Sequence, residues 1–361
     1  MHTCNMTPKI KFIFFASVLM MLACKVDVQG QTYNLQQLAQ PDTVGCWILP
    51  AQGEAAAPLW GHKDGILLGM APTPGPRGLI RIFCPYLGLA PDNVMNFIAM
   101  EPIPKGAIER GYSELEKSSL DEGRHGKRFW SSDDSLSIIP RDAVYPARGV
   151  ISKIGDEEVL SFYVFSESFD NGAKVYVKIR LFESRPYEFE MSTFTYDDSV
   201  ELDCFVLTAT MGNKARLRTL HLRDKQVLST ELWSDYKGIH FTDRTPIANQ
   251  DMLRDKDGSI YFIATPNETD YSQAAYHPTT QHHWRYDGKH ATQYWIKKNP
   301  TTELKGILTG RYTYWMSQAP IPGGVSIENF ELNEPFQEGD SYIFGISPED
   351  ARGMIQRLNL K

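Results

Sequence analysis

The stretch Lys174-Val175-Tyr176-Val177-Lys178-Ile179-Arg180-Leu181-Phe182 decides the fold. Successive side chains of a strand point to opposite faces, so Val175, Val177, Ile179 and Leu181 share one apolar face. Just upstream, Val159 to Phe165 is a second strand, and Asp170-Asn171-Gly172 supplies the turn between them. Downstream, Tyr187 to Tyr196 continues with β-favouring aromatics, and Leu202 to Thr210 follows as a further strand. Four strands with short connections predict an antiparallel meander. Farther on, Asp255-Lys256-Asp257-Gly258 reads as a hairpin turn feeding the strand Ser259 to Ala264.

Helix signals are few. The clearest is C-terminal: Ser347 as N-cap, Pro348 at the first helical position, Asp350 three residues after the cap, then Met354, Ile355 and Leu358 at helical spacing. Tyr33 to Ala39 is a second, short candidate. No period of 20–50 residues recurs, which disfavours a propeller or solenoid. The Pro- and Gly-rich stretch Ala71 to Gly78 returns at once to apolar sequence, so it reads as a loop and not a linker.

The N-terminus reads as an export signal. Lys9 and Lys11 give a positive flank, and Phe12 to Ala23 forms an apolar core too short to span a bilayer. Two exits compete. Val28-Gln29-Gly30 is a small-residue cleavage site that leaves Gln31 first. Leu22-Ala23-Cys24 is similar to a bacterial lipobox, which ends the signal at residue 23 and makes Cys24 a lipid anchor. The expected organisation is therefore a signal over residues 1–30 and a single domain over 31–361. Localisation is expected in the periplasm or at a bacterial cell surface. No later apolar run approaches transmembrane length.

The chain carries a formal charge of −7 at pH 7, and loss of Lys9, Lys11, Lys25 and Asp27 with the signal makes it more acidic. A nucleic-acid partner needs a basic face, so none is expected. After cleavage Cys46, Cys84 and Cys204 remain, too few for a paired disulfide framework and with no CxxC spacing for zinc or redox work. One disulfide with a buried thiol, or three free thiols, both fit. No Gly-x-Ser-x-Gly elbow, P-loop or strand-borne GxGxxG is present. Asp255 to Gly258 departs from the EF-hand template, which places Gly where this chain has Ile260. No cofactor and no metal are expected.

Near the C-terminus, Gly323-Gly324-Val325-Ser326-Ile327-Glu328-Asn329-Phe330-Glu331 is followed by Gly339-Asp340-Ser341-Tyr342-Ile343-Phe344. An apolar segment carries a carboxylate outward and a turn leads to a last strand. This order resembles the closing strands of galactose-mutarotase-like β-supersandwich proteins. The resemblance implies an all-β, antiparallel β-supersandwich with few short helices, and a catalytic carboxylate at Glu328 in a sugar-binding groove. It covers only these strands. The Asn-His-x-Tyr-Phe-Asn type signature of aldose epimerases has no equivalent here, which puts ordinary mutarotase activity in doubt. The same fold hosts lyase domains and non-catalytic sugar-binding domains, so the resemblance implies a ligand class and not one reaction.

Other segments carry candidate chemistry. Seven Trp and seventeen Tyr in a β-rich chain suit stacking on the C–H faces of sugars, and equally suit sheet packing. Met95 to Glu101 is an apolar strand ending in a carboxylate. After it, Glu114 and Glu116 point the same way if Gly111 to Glu116 is extended, and paired carboxylates divide acid and base duties at a glycosidic bond. The densest polar–aromatic cluster is His282-His283-Trp284-Arg285-Tyr286, closing at Trp295. Histidine is the natural proton carrier near neutral pH. Arg216 and Arg218 lie on one strand face, spaced to hold a uronate carboxylate or sulfate. His240, between Ile239 and Phe241, reads as either a core or a catalytic histidine.

The sequence therefore predicts an exported carbohydrate-active enzyme that cleaves or isomerises an oligo- or polysaccharide, a glycoside hydrolase or polysaccharide lyase. Glu328, His282, His283, His240 and Glu114 are the candidate catalytic groups. Arg216, Arg218, Trp284, Tyr286, Trp295 and Trp130 are the candidate substrate contacts. The alternative is a non-catalytic glycan-binding lipoprotein.

Overall fold

Val175, Val177, Ile179 and Leu181 are buried while Tyr176, Lys178 and Arg180 between them are half-exposed, the period-two burial of a strand with one face in a core. This computed structural model describes residues 37–53, 55–90, 93–136, 139–211, 216–266, 278, 291–314 and 318–361. The described residues belong to the unit Tyr33–Lys361.

In chain order the strands begin with β1 (Asp42–Val44), β2 (Trp47–Leu49), β3 (Leu59–His62), β4 (Leu67–Gly69), β5 (Leu79–Phe83) and β6 (Val94–Pro104). Then come β7 (Phe129–Ser132), β8 (Val150–Ile154), β9 (Glu157–Ser166), β10 (Val175–Phe182), β11 (Glu188–Thr195) and β12 (Leu202–Met211). After β13 (Thr219–His221) and β14 (Gln226–Leu228) lies the one-turn helix α1 (Ser229–Leu232). The chain continues through β15 (Thr245–Ala248), β16 (Leu253–Arg254), β17 (Ile260–Thr265), β18 (Thr292–Lys297), β19 (Lys305–Arg311), β20 (Ser326–Asn333) and β21 (Ser341–Ser347) to helix α2 (Ala351–Arg357).

These strands form two antiparallel sheets. The first has the order β1-β2-β3-β4-β5-β6-β12-β20-β19-β15. The second runs β14-β13-β17-β18-β21-β11-β10-β9-β7, with β16 on β17 and β8 on β9. They pack face to face through one large apolar core to which both contribute. Trp60 stacks on Phe162 at 4.4 Å, and Phe262 meets Phe330 at 4.7 Å. Polar bonds also cross the interior. Trp295 Nε1 donates to the Phe330 carbonyl at 2.8 Å, and the buried Asn96 amide donates to Gln293. The chain is all-β, a two-sheet antiparallel sandwich.

The meander is real for β9, β10 and β11, which pair in succession. Gly172 sits in the predicted turn at φ 86°, a left-handed conformation natural to glycine. The fourth predicted strand exists but crosses over. Leu202–Met211 leaves the meander and pairs with β6 and β20 in the other sheet. Its core-facing Phe205, Leu207 and Ala209 fit either sheet, so alternation alone did not choose. Strand β17 follows the predicted turn, where the Asp255 carboxylate accepts from the backbone N–H groups of Asp257 and Ser259 at 2.9 Å each.

The C-terminal helix starts later than its sequence suggests. Ser347 ends β21, and the cap is Asp350, whose carboxylate accepts from Gly353 N at 2.8 Å. Strand pairing of Thr292 with Ser347 holds that residue in the sheet, so the next acceptor side chain takes over the capping. Gly111 to Glu116 is likewise not a strand. It turns at Ser113 to Leu115. Cys46, Cys84 and Cys204 are all free. Among the described residues no helix is long and apolar enough to cross a membrane.

Because Phe262 fills the contact between the two sheets, Phe262→Ala should lower stability by about 3–5 kcal/mol in urea unfolding, with little change in m-value. A loss below about 1 kcal/mol would show that the sheets do not depend on this contact.

Candidate functional site

Strand alternation sends Phe205, Leu207 and Ala209 of β12 into the core and Thr208 and Thr210 to the outer face of the first sheet. The same rule sends Phe330 and Leu332 of β20 inward and Asn329 and Glu331 outward. Between Ile327 and Phe330, both core residues, the rule breaks. Asn329 pairs with Thr309 of β19, but the next β19 residue, Gly310, pairs with Ile327. Glu328 is the extra residue of a β-bulge. Such a bulge re-aims side chains, and here it places Glu328 beside Asn329 on the outer face.

What surrounds Glu328 follows from register. Thr309, Asn329 and Thr210 form one row across β19, β20 and β12. Arg311 pairs with Ser326 in the next row. Just past the end of β12, Leu217 bridges to Ile327 and points into the core, so Arg216 and Arg218 flank Glu328's strand from the other side. Asn329 and Thr210 are half-exposed, while Glu328, Ser326 and Thr309 are buried. The Glu328 carboxylate accepts no hydrogen bond among the described residues. Burial raises its pKa to about 7, against the lowering pull of Arg311.

The arginines are not interchangeable here. Arg218 Nη2 donates to the carbonyls of Pro322 and Gly324, and Arg311 donates through Nε to Thr313 O at 3.1 Å and through Nη2 to Tyr314 O at 3.0 Å. Both clamp the connection between β19 and β20 onto the sheet. Arg216 is buried on the same face.

A second carboxylate group lies farther along the same face. Arg110 Nη1 pairs with Glu101 and with Glu331 Oε1 at 3.0 Å, and Thr208 Oγ1 donates to Glu331 Oε2 at 2.6 Å. Burial and then the neighbouring Glu331 raise Glu101 to about 7. Burial and then Glu101 raise Glu114 to about 8, and its Oε2 is sealed without a hydrogen-bond partner among the described residues. Burial alone would depress Arg110, but Glu331 and Glu101 outweigh it and hold the guanidinium above its ordinary value. Glu116 diverges from Glu114 at the turn. It accepts from Tyr112 N at 3.0 Å and pairs with Lys127. Glu328 takes its field from Arg311, and Glu114 takes its field from Glu101 and Arg110, so the two predicted catalytic carboxylates occupy different neighbourhoods.

The predicted aromatic contacts fare differently. Trp295 is wholly buried in the core between the sheets, with Phe344 at 4.8 Å, and offers no face to a sugar. Trp130 is 2 % exposed and stacked on Phe165 at 6.0 Å, the end of a cross-strand row that continues through Tyr176 and Phe194. Both were legible as aromatic residues in strands, where packing is the common use. His240 is not a core histidine. It is exposed on the loop before β15, and its carbonyl accepts from the Tyr236 hydroxyl at 2.7 Å. That loop reaches the site through Phe241, which bridges to Arg311. His282, His283, Trp284 and Tyr286 lie outside the described residues. Sequence reading missed Thr309 and Arg311, which only the pairing of β19 with β20 brings near Glu328, and gave no role to Ser326, two residues before it on the same strand. Among the described residues no group of three or more His, Cys, Asp or Glu is placed to hold a metal ion.

Glu101, Glu114 and Glu328 all have pKa values raised from 4.5. The folded protein therefore holds protons that the unfolded chain releases, and stability should fall as pH rises from about 5 to about 8. Thermal midpoints across that window should decline, and Glu114→Gln should flatten the decline and raise the midpoint at its alkaline end. A midpoint that rises with pH, or a variant with unchanged slope, would contradict this.

No protein-family model, curated protein or solved structure matches this chain.

Proposed function

We propose that the chain is an exported carbohydrate-active enzyme that acts on an oligo- or polysaccharide from the outer face of its first sheet, with Glu328 as the proton-transfer group. The observation that carries this reading is the bulge at Glu328. It lifts a buried carboxylate, its pKa near 7, onto a row of hydroxyl and amide side chains, Thr309, Asn329 and Thr210. A carboxylate poised near neutral pH both accepts and returns a proton. Hydroxyl and amide groups in register supply the paired donors and acceptors that sugar hydroxyls require.

The raised value has a further consequence. Near neutral pH Glu328 exists in both protonation states, so the same group serves as base in one step and acid in another. Arg216 is buried on the same face, and a cation on that face suits a substrate bearing a carboxylate or sulfate. Arg218 and Arg311 act by fixing the connection that walls the site. Glu114 belongs to the neighbouring carboxylate group and takes no part in the step at Glu328.

Glu328→Gln removes the proton-accepting oxygen with little change in volume. Incubated with a panel of neutral and anionic polysaccharides, the native protein should release sugars, and Glu328→Gln should lose at least about 10²-fold in kcat with its fold intact by circular dichroism. Full activity in the variant would remove Glu328 from the mechanism. Tight binding with no product from the native protein would favour a glycan-binding lipoprotein instead.

A further inference from the structure

Every residue of β8, Val150 to Ile154, is exposed, whereas β1, β7, β14 and β15, which also end their sheets, are each at least partly covered. Among the described residues β8 pairs with β9 alone. The two strands join through the two-residue turn Gly155-Asp156, with Gly155 at φ 64° and Ile154 opposite Glu157 as the closing pair. In such a hairpin the closing residues exchange both backbone bonds, and bonded pairs recur at every second residue. Val150, Ser152 and Ile154 therefore direct their backbone groups to β9, and Ile151 and Lys153 direct theirs to the open edge. That edge is held in place by the residues leading into it. The Ala147 carbonyl accepts from Trp60 Nε1 at 3.0 Å, and Ala147 N donates to Ser131 Oγ at 2.9 Å. Arg148 donates to Pro50 O at 2.7 Å, and Gly149 N donates to Asp133 Oδ1 at 2.7 Å.

Proteins blunt open strand edges with proline, charge or a covering segment. β8 has no proline, and its one charge, Lys153, stands opposite Glu158 of β9. Val150, Ile151 and Ile154 are exposed aliphatics, and the loop that Asp133 holds against Gly149 adds Leu136 and Ile139, 87 % and 75 % exposed. Free backbone groups beside aliphatic side chains fit another strand. We infer that this strand is β8 of a second copy, paired antiparallel across a two-fold axis at Ser152, so that the second sheets of two molecules become one. Three axes would align the open backbone groups. An axis at Lys153 sets two like charges opposite each other, and one at Ile151 calls on Gly149 N, which already serves Asp133. At Ser152 neither conflict arises. Ile151 of each copy exchanges backbone bonds with Lys153 of the other, and Val150 meets Ile154. The same register brings the hairpin tip carrying Asp156 to the end of the other strand, where Arg148 stands. Opposite charges thus meet at both ends of the ladder, which selects a second copy over an unrelated strand.

The whole protein tests this without any glycan. Sedimentation at micromolar concentration should show a species of twice the monomer mass. Ser152→Glu sets two carboxylates opposite each other on the axis and should weaken dimerisation at least about 10-fold, with circular dichroism unchanged. Ser152→Cys places two thiols at a non-hydrogen-bonded antiparallel pair, where Cα atoms lie about 4.5 Å apart, within disulfide reach. Mild oxidation should link that variant into a covalent dimer, while the native protein and Val150→Cys, which faces Ile154, stay unlinked. A native protein that is monomeric at every concentration, or a dimer that Ser152→Glu leaves intact, would overturn the inference. So would a Ser152→Cys variant that fails to link, or one that links no more readily than Val150→Cys.

Discussion

An antiparallel strand has a strict two-residue period, and β20 breaks it once. Ile327 and Phe330 both belong to the core, three positions apart, and the extra residue between them is Glu328. Without the bulge, strict alternation from Ile327 would send Asn329 inward and Phe330 outward, and alternation from Phe330 would send Glu328 inward and Ile327 outward; either register buries a polar side chain in the core and expels an apolar one. The bulge removes that conflict by local bending at Thr309 and Gly310. Gly310 suits the place, because an added Cβ would lie 2.6 Å from Trp233. Core packing on one face thus fixes a carboxylate on the other.

The outer face of the first sheet keeps its charges by pairing or by holding protons. Arg110 neutralises part of the Glu101–Glu331 pair, and the Arg244 guanidinium donates to the Tyr112 hydroxyl at 2.7 Å. Desolvation then raises Glu101 and Glu114. At Glu328 the same desolvation acts with Arg311 as its main counterweight. The first group is tied into hydrogen bonds and serves the fold. The second has an accepting carboxylate and an adjoining half-exposed row, which is the condition for contact with a ligand.

The sheets were legible in the sequence because alternation, turns and aromatic enrichment are local. Val175 to Leu181 declares its buried face, and Gly172 its turn. The partner of β12 was not legible, since an alternating strand says which face is buried and not which neighbours it takes. For the site, Glu328 was readable as a carboxylate on an apolar strand. Its surroundings were not. Thr309 and Arg311 come near it through a register shift, and Arg216 is brought to the same face by one isolated bridge between Leu217 and Ile327. Trp295 was misread for a related reason. A tryptophan in a strand looks the same whether its face meets the core or solvent, and only the partner strands decide.

The central claim is that Glu328 is a buried carboxylate whose proton is exchangeable near neutral pH. Carbon-13 NMR of protein labelled at the glutamate side-chain carboxyl, with Glu328→Gln used to assign the resonance, measures this directly. The account predicts a Glu328 resonance that titrates with a midpoint of about 7. A midpoint in the ordinary range near 4.5 would show an ionised, solvated carboxylate and contradict the site as described.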